Sequence, residues 1–177
     1  MRLKRFVLAA PAIALILAGG PLMAIDETDL RTLLTGRPVC QGCDLSRADL
    51  SSKNLRGARL RQTDLTEADL SGSNLVSAYF TCAVLEGADL RNANLQWANL
   101  VDADLRGTDL RGADLSKTDL TGAQFAGARL DDTTVLDGAK LPDGATLYNG
   151  TQDLLRVQST RSQEEQRRYC EARRAPR

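Results

Sequence analysis

Histidine is absent from this chain. Its absence removes imidazole general acid–base catalysis, Ser-His-Asp triads and histidine metal ligation. Charge of one sign is not in excess either, since 23 Lys and Arg face 23 Asp and Glu. Nothing therefore argues electrostatically for a nucleic-acid partner. The sequence has no apolar run approaching the ~20 residues that span a bilayer. It also lacks a second Cys-x-x-Cys to complete a zinc site around Cys40 and Cys43, so no metal or cofactor is expected.

The first two dozen residues differ from the rest. Arg2, Lys4 and Arg5 precede an apolar run from Phe6 to Leu17, followed by small residues and Leu22-Met23-Ala24. This order of basic, apolar and small segments is that of a secretory signal peptide, residues 1–24, cut after Ala24. The alternative is an uncleaved membrane anchor, against which the short run argues. No Cys follows the run, which argues against a lipid anchor. The mature chain would carry 20 basic against 23 acidic residues, a net of −3, and would meet no membrane after cleavage.

From Leu45 to Leu130 an apolar residue recurs every fifth position, giving 18 centres: 16 Leu with Phe80 and Phe125. Two residues before the centre stands Ala in 12 cases and Ser or Thr in four. One residue before it stands Asp or Asn in 13 cases, as in Ala88-Asp89-Leu90-Arg91-Asn92. A period of five suits neither a helix nor a simple strand. A chain that buries the same two positions every five residues must turn after each unit, and such units gain a core only by stacking. The reading is a solenoid. After Leu130 the spacing slips by one residue, then continues through Leu136 and Leu141 to a turn at Pro142-Asp143-Gly144.

The motif resembles that of the pentapeptide-repeat family without a gap over residues 43–132. The resemblance implies an all-β solenoid, a right-handed quadrilateral β-helix with four pentapeptides per coil, about 4.5–5 coils in all. Strand spacing then sets a rise of ~4.8 Å per coil. In that geometry the centre and the small residue point inward and the other three positions outward. The expected organisation is a capping segment over 25–42, the β-helix over 43–144 and a basic tail over 145–177.

Open backbone edges at both ends need covering. Thr28 can cap a short helix whose Leu30, Leu33 and Leu34 share a face, ending at Gly36. Ser162 and Glu165 form a capping box for a helix over 163–173. Residues 150–177 hold seven Arg and four acidic residues, whereas 25–149 hold 13 basic and 19 acidic. The tail either folds back on the acidic rod or ends as a frayed terminus.

An even count of four cysteines in an exported chain favours disulfides. Cys43 occupies an inward slot, so a structural Cys40–Cys43 link, or two reduced capping cysteines, is preferred to redox chemistry. Cys82 faces outward and Cys170 lies in the tail, and the two are expected to pair. Because positions twenty apart stack, Val76, Tyr79, Trp97 and Val101 form a candidate partner patch, which the tail would otherwise cover. Asp49, Asp69, Asp89 and Asp109 form an outward column beside Arg91 and Arg111.

The functional expectation is a non-catalytic binding or scaffold protein of the periplasm or cell exterior, acting on another protein through its outer faces. A nucleic-acid partner is not expected. Two alternatives are a DNA-mimicking topoisomerase-binding protein, known in quinolone-resistance members of the resembled family, and a thiol redox protein using Cys40 and Cys43. The same resemblance implies that end-to-end homodimers can form.

Overall fold

The structure, a computed structural model, describes residues 39–142 and 163–172. Residues 1–24, read as a signal peptide, residues 25–38 of the expected 25–42 capping segment, and residues 143–162 and 173–177 lie outside the described residues. Residues 39–142 form a ladder of parallel bridges between positions twenty apart, beginning Val39↔Arg59 and Asp44↔Asp64. Four pentapeptides thus return the chain to the same side one level up. We number the sides by their inward columns. The first holds Leu65 and Leu85, the second Leu70 and Leu90, the third Leu75 and Leu95, the fourth Phe80 and Leu100.

The residue Ala68-Asp69-Leu70-Ser71-Gly72 shows why the motif has the form it has. Every N–H in this unit finds a partner. Ala68 closes a turn onto the Leu65 carbonyl (3.0 Å), and Asp69 donates down to Ala48 (2.9 Å). Leu70 and Gly72 donate up to Asp89 and Arg91, each at 2.8 Å. The remaining donor, Ser71 N–H, is taken by Asp69 Oδ1 at 2.9 Å. Asp or Asn before the centre is therefore the acceptor that completes the backbone, an Asx turn repeated along the rod.

The last position of each unit sits at positive φ, as the third residue of a type II turn requires. Glycine suits it, and Gly72 and Gly87 take it without strain. Ten such positions carry a side chain instead, Trp97 among them at φ 62°. Each costs about 1–2 kcal/mol against an ordinary backbone conformation.

The interior is solid. Leu50, Leu70, Leu90 and Leu110 on one side, and their counterparts on the others, are fully buried. Each contributes about 1.5–3 kcal/mol. Ala fills the slot beside each Leu. Where Ser or Thr replaces it the hydroxyl donates to a backbone carbonyl, as Ser73 Oγ does to Leu70 (2.6 Å) and Thr118 Oγ1 to Leu115 (2.7 Å) in their own turns and Thr63 Oγ1 to Cys40 on the level below. This satisfies a buried donor without a cavity.

Three places depart from the expected regularity. The ladder starts earlier than Cys43: Val39 already pairs with Arg59, and Cys40 is buried in the fourth column below Leu60. Lys53 stands at a small inward slot yet is exposed, because an ammonium has no partner inside an apolar rod. Above Leu120 the bridges change from twenty apart to twenty-one, Asp114↔Val135 and Asp119↔Lys140, which absorbs the extra residue and returns Leu136 and Leu141 to the interior.

Helix α1 spans Gln163–Ala172, with Glu164 and Glu165 in its first turn, where the helix dipole favours negative charge. It lies against the corner that follows the fourth side. Gln62 Nε2 donates to the Cys170 carbonyl at 3.0 Å. The Cys82 and Cys170 sulfurs stand 2.09 Å apart.

Candidate binding surface

With the interior filled, chemistry is left to the outer faces. Among the described residues no cluster of Cys, Asp or Glu could hold a metal ion. No described helix is long and apolar enough to cross a membrane.

The first and second sides are acidic and tied to arginine. Asp49, Asp69, Asp89 and Asp109 stack in register. Arg91 and Arg111 each reach back two residues, to Asp89 (2.5 Å) and Asp109 (2.6 Å). Arg106 joins Asp104 (2.6 Å) and Glu86 (2.8 Å). The hydrogen bonds from Arg91 and Arg111 hold the Asp89 and Asp109 carboxyls below their ordinary range. Exposed pairs of this kind contribute little singly. Here they cancel the like-charge repulsion within the column.

Because folding lowers these carboxyl pKa values, their contribution is present above the ordinary value of 3.8 and is lost as the pH falls below it. Replacing Arg91 and Arg111 together by Ala should move the acid limb of a melting-temperature profile to higher pH. An unmoved limb would show that the pairs add nothing.

The third and fourth sides have the opposite character. Residues 51–63, 70–85 and 90–101 contain no Asp or Glu, and these stretches stack on one another. Over these levels the outward strand positions hold Asn54, Asn74 and Asn94 on the third side, and Arg59, Tyr79 and Asn99 on the fourth, with Asp114 and Asp119 standing next above them. Trp97 is 59% exposed and Tyr79 47%. Lys117 Nζ lies 4.5 Å from the Trp97 ring centroid, a cation–π contact on one face of the indole. Thr81 Oγ1 donates to Asn99 Oδ1 at 3.0 Å.

Of the four residues expected in the partner patch, the structure leaves Tyr79 and Trp97 exposed and Val101 half-buried. Val76 is buried, a short branched side chain stacked between the longer Arg56 and Gln96, and so does not belong to the exposed surface. Helix α1 docks one corner further on, over Gln62 and Cys82, and leaves Trp97 open. Cys40 and Cys43 sit with their sulfurs 2.03 Å apart, Cys40 buried and Cys43 half-buried. All four cysteines are thus at bonding distance in pairs.

Sequence reading missed the basic strip of Lys53, Arg56, Arg59 and Arg61, all exposed. Its signal was available, as the stretch without an acidic residue from 51 to 63.

A closed stack of five-residue sides, with Leu and Ala inside and Asx turns along its edges, defines a four-sided solenoid. The sequence profile of pentapeptide repeats matches residues 43–81, 68–107 and 98–135, with eight copies. The chain belongs to the pentapeptide-repeat family, whose members fold as right-handed quadrilateral β-helices and are generally non-enzymatic structural or binding proteins. Among solved structures it is similar to alr5209 of Nostoc PCC 7120, at 29% identity and a TM-score of 0.51, over 63% of this chain and 95% of that one. It is also similar to a pentapeptide repeat protein of the Arabidopsis thaliana thylakoid lumen, at 28% identity and a TM-score of 0.40, over 71% and 88%. A weaker likeness, at 18% identity and a TM-score of 0.27 over 57% and 59%, is to QnrB1, a plasmid-mediated fluoroquinolone resistance protein. No curated protein matches.

Proposed function

We propose that this chain is an exported, non-catalytic scaffold that binds another protein through an outer face. The observation that carries the reading is the solid interior. Columns of Leu and Ala at zero exposure leave no room for a substrate, so recognition falls to the surface. The signal-like residues 1–24 and the two cysteine pairs at bonding distance support a site of action outside the reducing cytoplasm. In this reading Val39 to Leu141 make five coils, the Cys40–Cys43 disulfide closes the lower end, and α1 is stapled to the side through Cys82.

The rival of a DNA-mimicking topoisomerase inhibitor needs a dense, free anionic surface. Asp89, Asp104 and Asp109 are instead held by arginines. Thiol redox catalysis needs an accessible sulfur, and Cys40 is 2% exposed.

The test is photo-crosslinking in living cells from one exposed position on each accessible side of the full-length chain: Glu67, Asn92, Trp97 and Tyr79. The expected result is protein that begins at Ile25, recovered outside the cytoplasm, with links to another protein from at least one position. Retention in the cytoplasm, or no foreign link from any side, would overturn the proposal. Inhibition of gyrase supercoiling by the purified protein would favour the DNA mimic.

A further inference from the structure

We infer that the surface formed by residues 51–63, 70–85 and 90–101, the carboxylate-free lower levels of the third and fourth sides, is a docking face for an acidic polypeptide segment with an apolar stretch next to its acidic residues. This rests on the scaffold reading and specifies its face and ligand.

Three observations converge on this face. The first is charge. Lys53, Arg56, Arg59 and Arg61 follow one another along the chain without an acidic residue between 51 and 63. None of the four makes an ion pair among the described residues, although Arg47, Arg91, Arg106 and Arg111 on the first and second sides all do. These cations are exposed, Lys53 alone acting on a carboxylate, that of Asp49, and no stacked neighbour on the next two levels offers one.

The second is that the face breaks the structural rules of the repeat. Lys53 occupies a slot that is Ala, Ser or Thr in 16 of 18 units. Arg59 and Tyr79 stand where Asp or Asn would accept the Arg61 and Thr81 amides, and each forfeits that bond. Trp97 holds φ 62°, a conformation that a bulky residue adopts at a cost and that Gly57 and Gly138 supply freely in the same column. Other departures exist, at Val84, Gln124 and Arg129 and at nine further side chains of positive φ, but these four lie on one continuous surface. Residues that work against the fold without a structural return mark a site of function.

The third is arrangement. Arg59 is bridged directly below Tyr79, and Trp97 lies one level higher at the adjoining corner, two residues before Asn99, which is bridged to Tyr79. Lys53, Arg56, Arg59 and Arg61 lie on the lower level, the aromatic rings lie above them, and Lys117 covers one face of Trp97. A long uniform polyanion laid along the rod would set charge against Tyr79 and Trp97. A polypeptide whose acidic residues meet the arginines and whose apolar residues meet the rings satisfies both parts. Exposed Trp, Tyr and Arg together are also the residue types that dominate protein-binding energetics. Asn74, Asn94 and Asn99 supply amides around the rings.

The test uses the purified protein and a fluorescein-labelled peptide with an acidic half of Asp and Glu and an apolar half of Leu and Phe. The readout is fluorescence anisotropy, alongside thermal melts of every variant. We expect saturable binding that weakens with salt and falls more than tenfold in an Arg59→Glu/Arg61→Glu double variant. We expect the same loss in Tyr79→Asn and Trp97→Gly with no fall in melting temperature, because each substitution restores the residue type the repeat prefers there. A purely structural role would show the reverse, lower melting temperature and unchanged binding, and would overturn the inference. So would absent peptide binding, or binding that survives charge reversal. Tighter binding of alginate, a single-stranded oligonucleotide or phosphatidylglycerol vesicles through the same residues would overturn the polypeptide assignment. Dimerisation lost in the double variant would replace the partner with a second copy. If cellular crosslinks arise only from Glu67 or Asn92, the scaffold reading stands and this face falls. If none arise anywhere, the scaffold reading itself falls.

Discussion

Leu90→Asp is expected to abolish the cooperative fold. Leu90 is fully buried mid-rod, in the column of Leu50, Leu70 and Leu110 and beside Ala88 and Ala93. Losing its burial costs about 1.5–3 kcal/mol. An unpaired carboxylate in that column adds a desolvation penalty of several kcal/mol, with no cation inside to offset it. A whole domain is stable by only about 5–15 kcal/mol. The solenoid amplifies the damage, because each level touches only the levels above and below it. A break at Leu90 leaves two short stacks, each with a new unpaired backbone edge and too small a core. Far-UV circular dichroism on heating should show no cooperative transition for Leu90→Asp. Leu90→Ala is the control: it opens a cavity, costs about 2–5 kcal/mol, and should keep a transition at lower temperature. A Leu90→Asp melt within a few degrees of the parent would mean that the inward columns are not one continuous core.

That prediction could be written from the sequence, because the period of five reports burial directly. A Leu at every fifth residue and an Ala two before it have one geometric explanation. The Asp or Asn before most centres was also visible, but its purpose, an Asx turn, is shown only by Ser71 N–H donating to Asp69 Oδ1. What escaped the sequence did so for identifiable reasons. Val39 and Cys40 begin the ladder, yet carry neither the Asp/Asn nor the Leu that announces a unit. Lys53 reads as an inward residue by position, but a long cation can leave a slot that Ala cannot. Val76 stands at an outward position yet is buried, because position does not tell how far the taller neighbours in a stack shield a short side chain. The basic strip was legible in composition but not in meaning. Only the twenty-residue bridge sets Arg59 under Tyr79 and shows that the arginines on the other sides are occupied.

The two cysteine pairs should differ greatly in what they contribute, and the difference tests whether α1 belongs to the fold. Cys82 and Cys170 are separated by 88 positions in sequence, whereas Cys40 and Cys43 are separated by three. If the stabilisation comes from restricting the unfolded chain, closing the longer loop is worth about 4–5 kcal/mol and the shorter about 2 kcal/mol. Beyond that entropy, the long link holds α1 against a corner whose residues depend on cover. Asp102 is 3% exposed in the same column as Cys82, and it sits so close to Gly122 that a side chain there would meet its carboxylate. Releasing α1 returns that corner to water without disturbing the Leu columns. A Cys82→Ser/Cys170→Ser variant should therefore melt well below the parent yet still cooperatively, with the tail cut first by a protease. A Cys40→Ser/Cys43→Ser variant should lose less and keep the tail protected. Reductant should lower the parent by both contributions and the Cys82→Ser/Cys170→Ser variant only by the smaller one of the Cys40–Cys43 pair. Equal losses from the two pairs, or a tail equally protected in all variants, would show that α1 is held by its contacts with Gln62 and its neighbours rather than by sulfur.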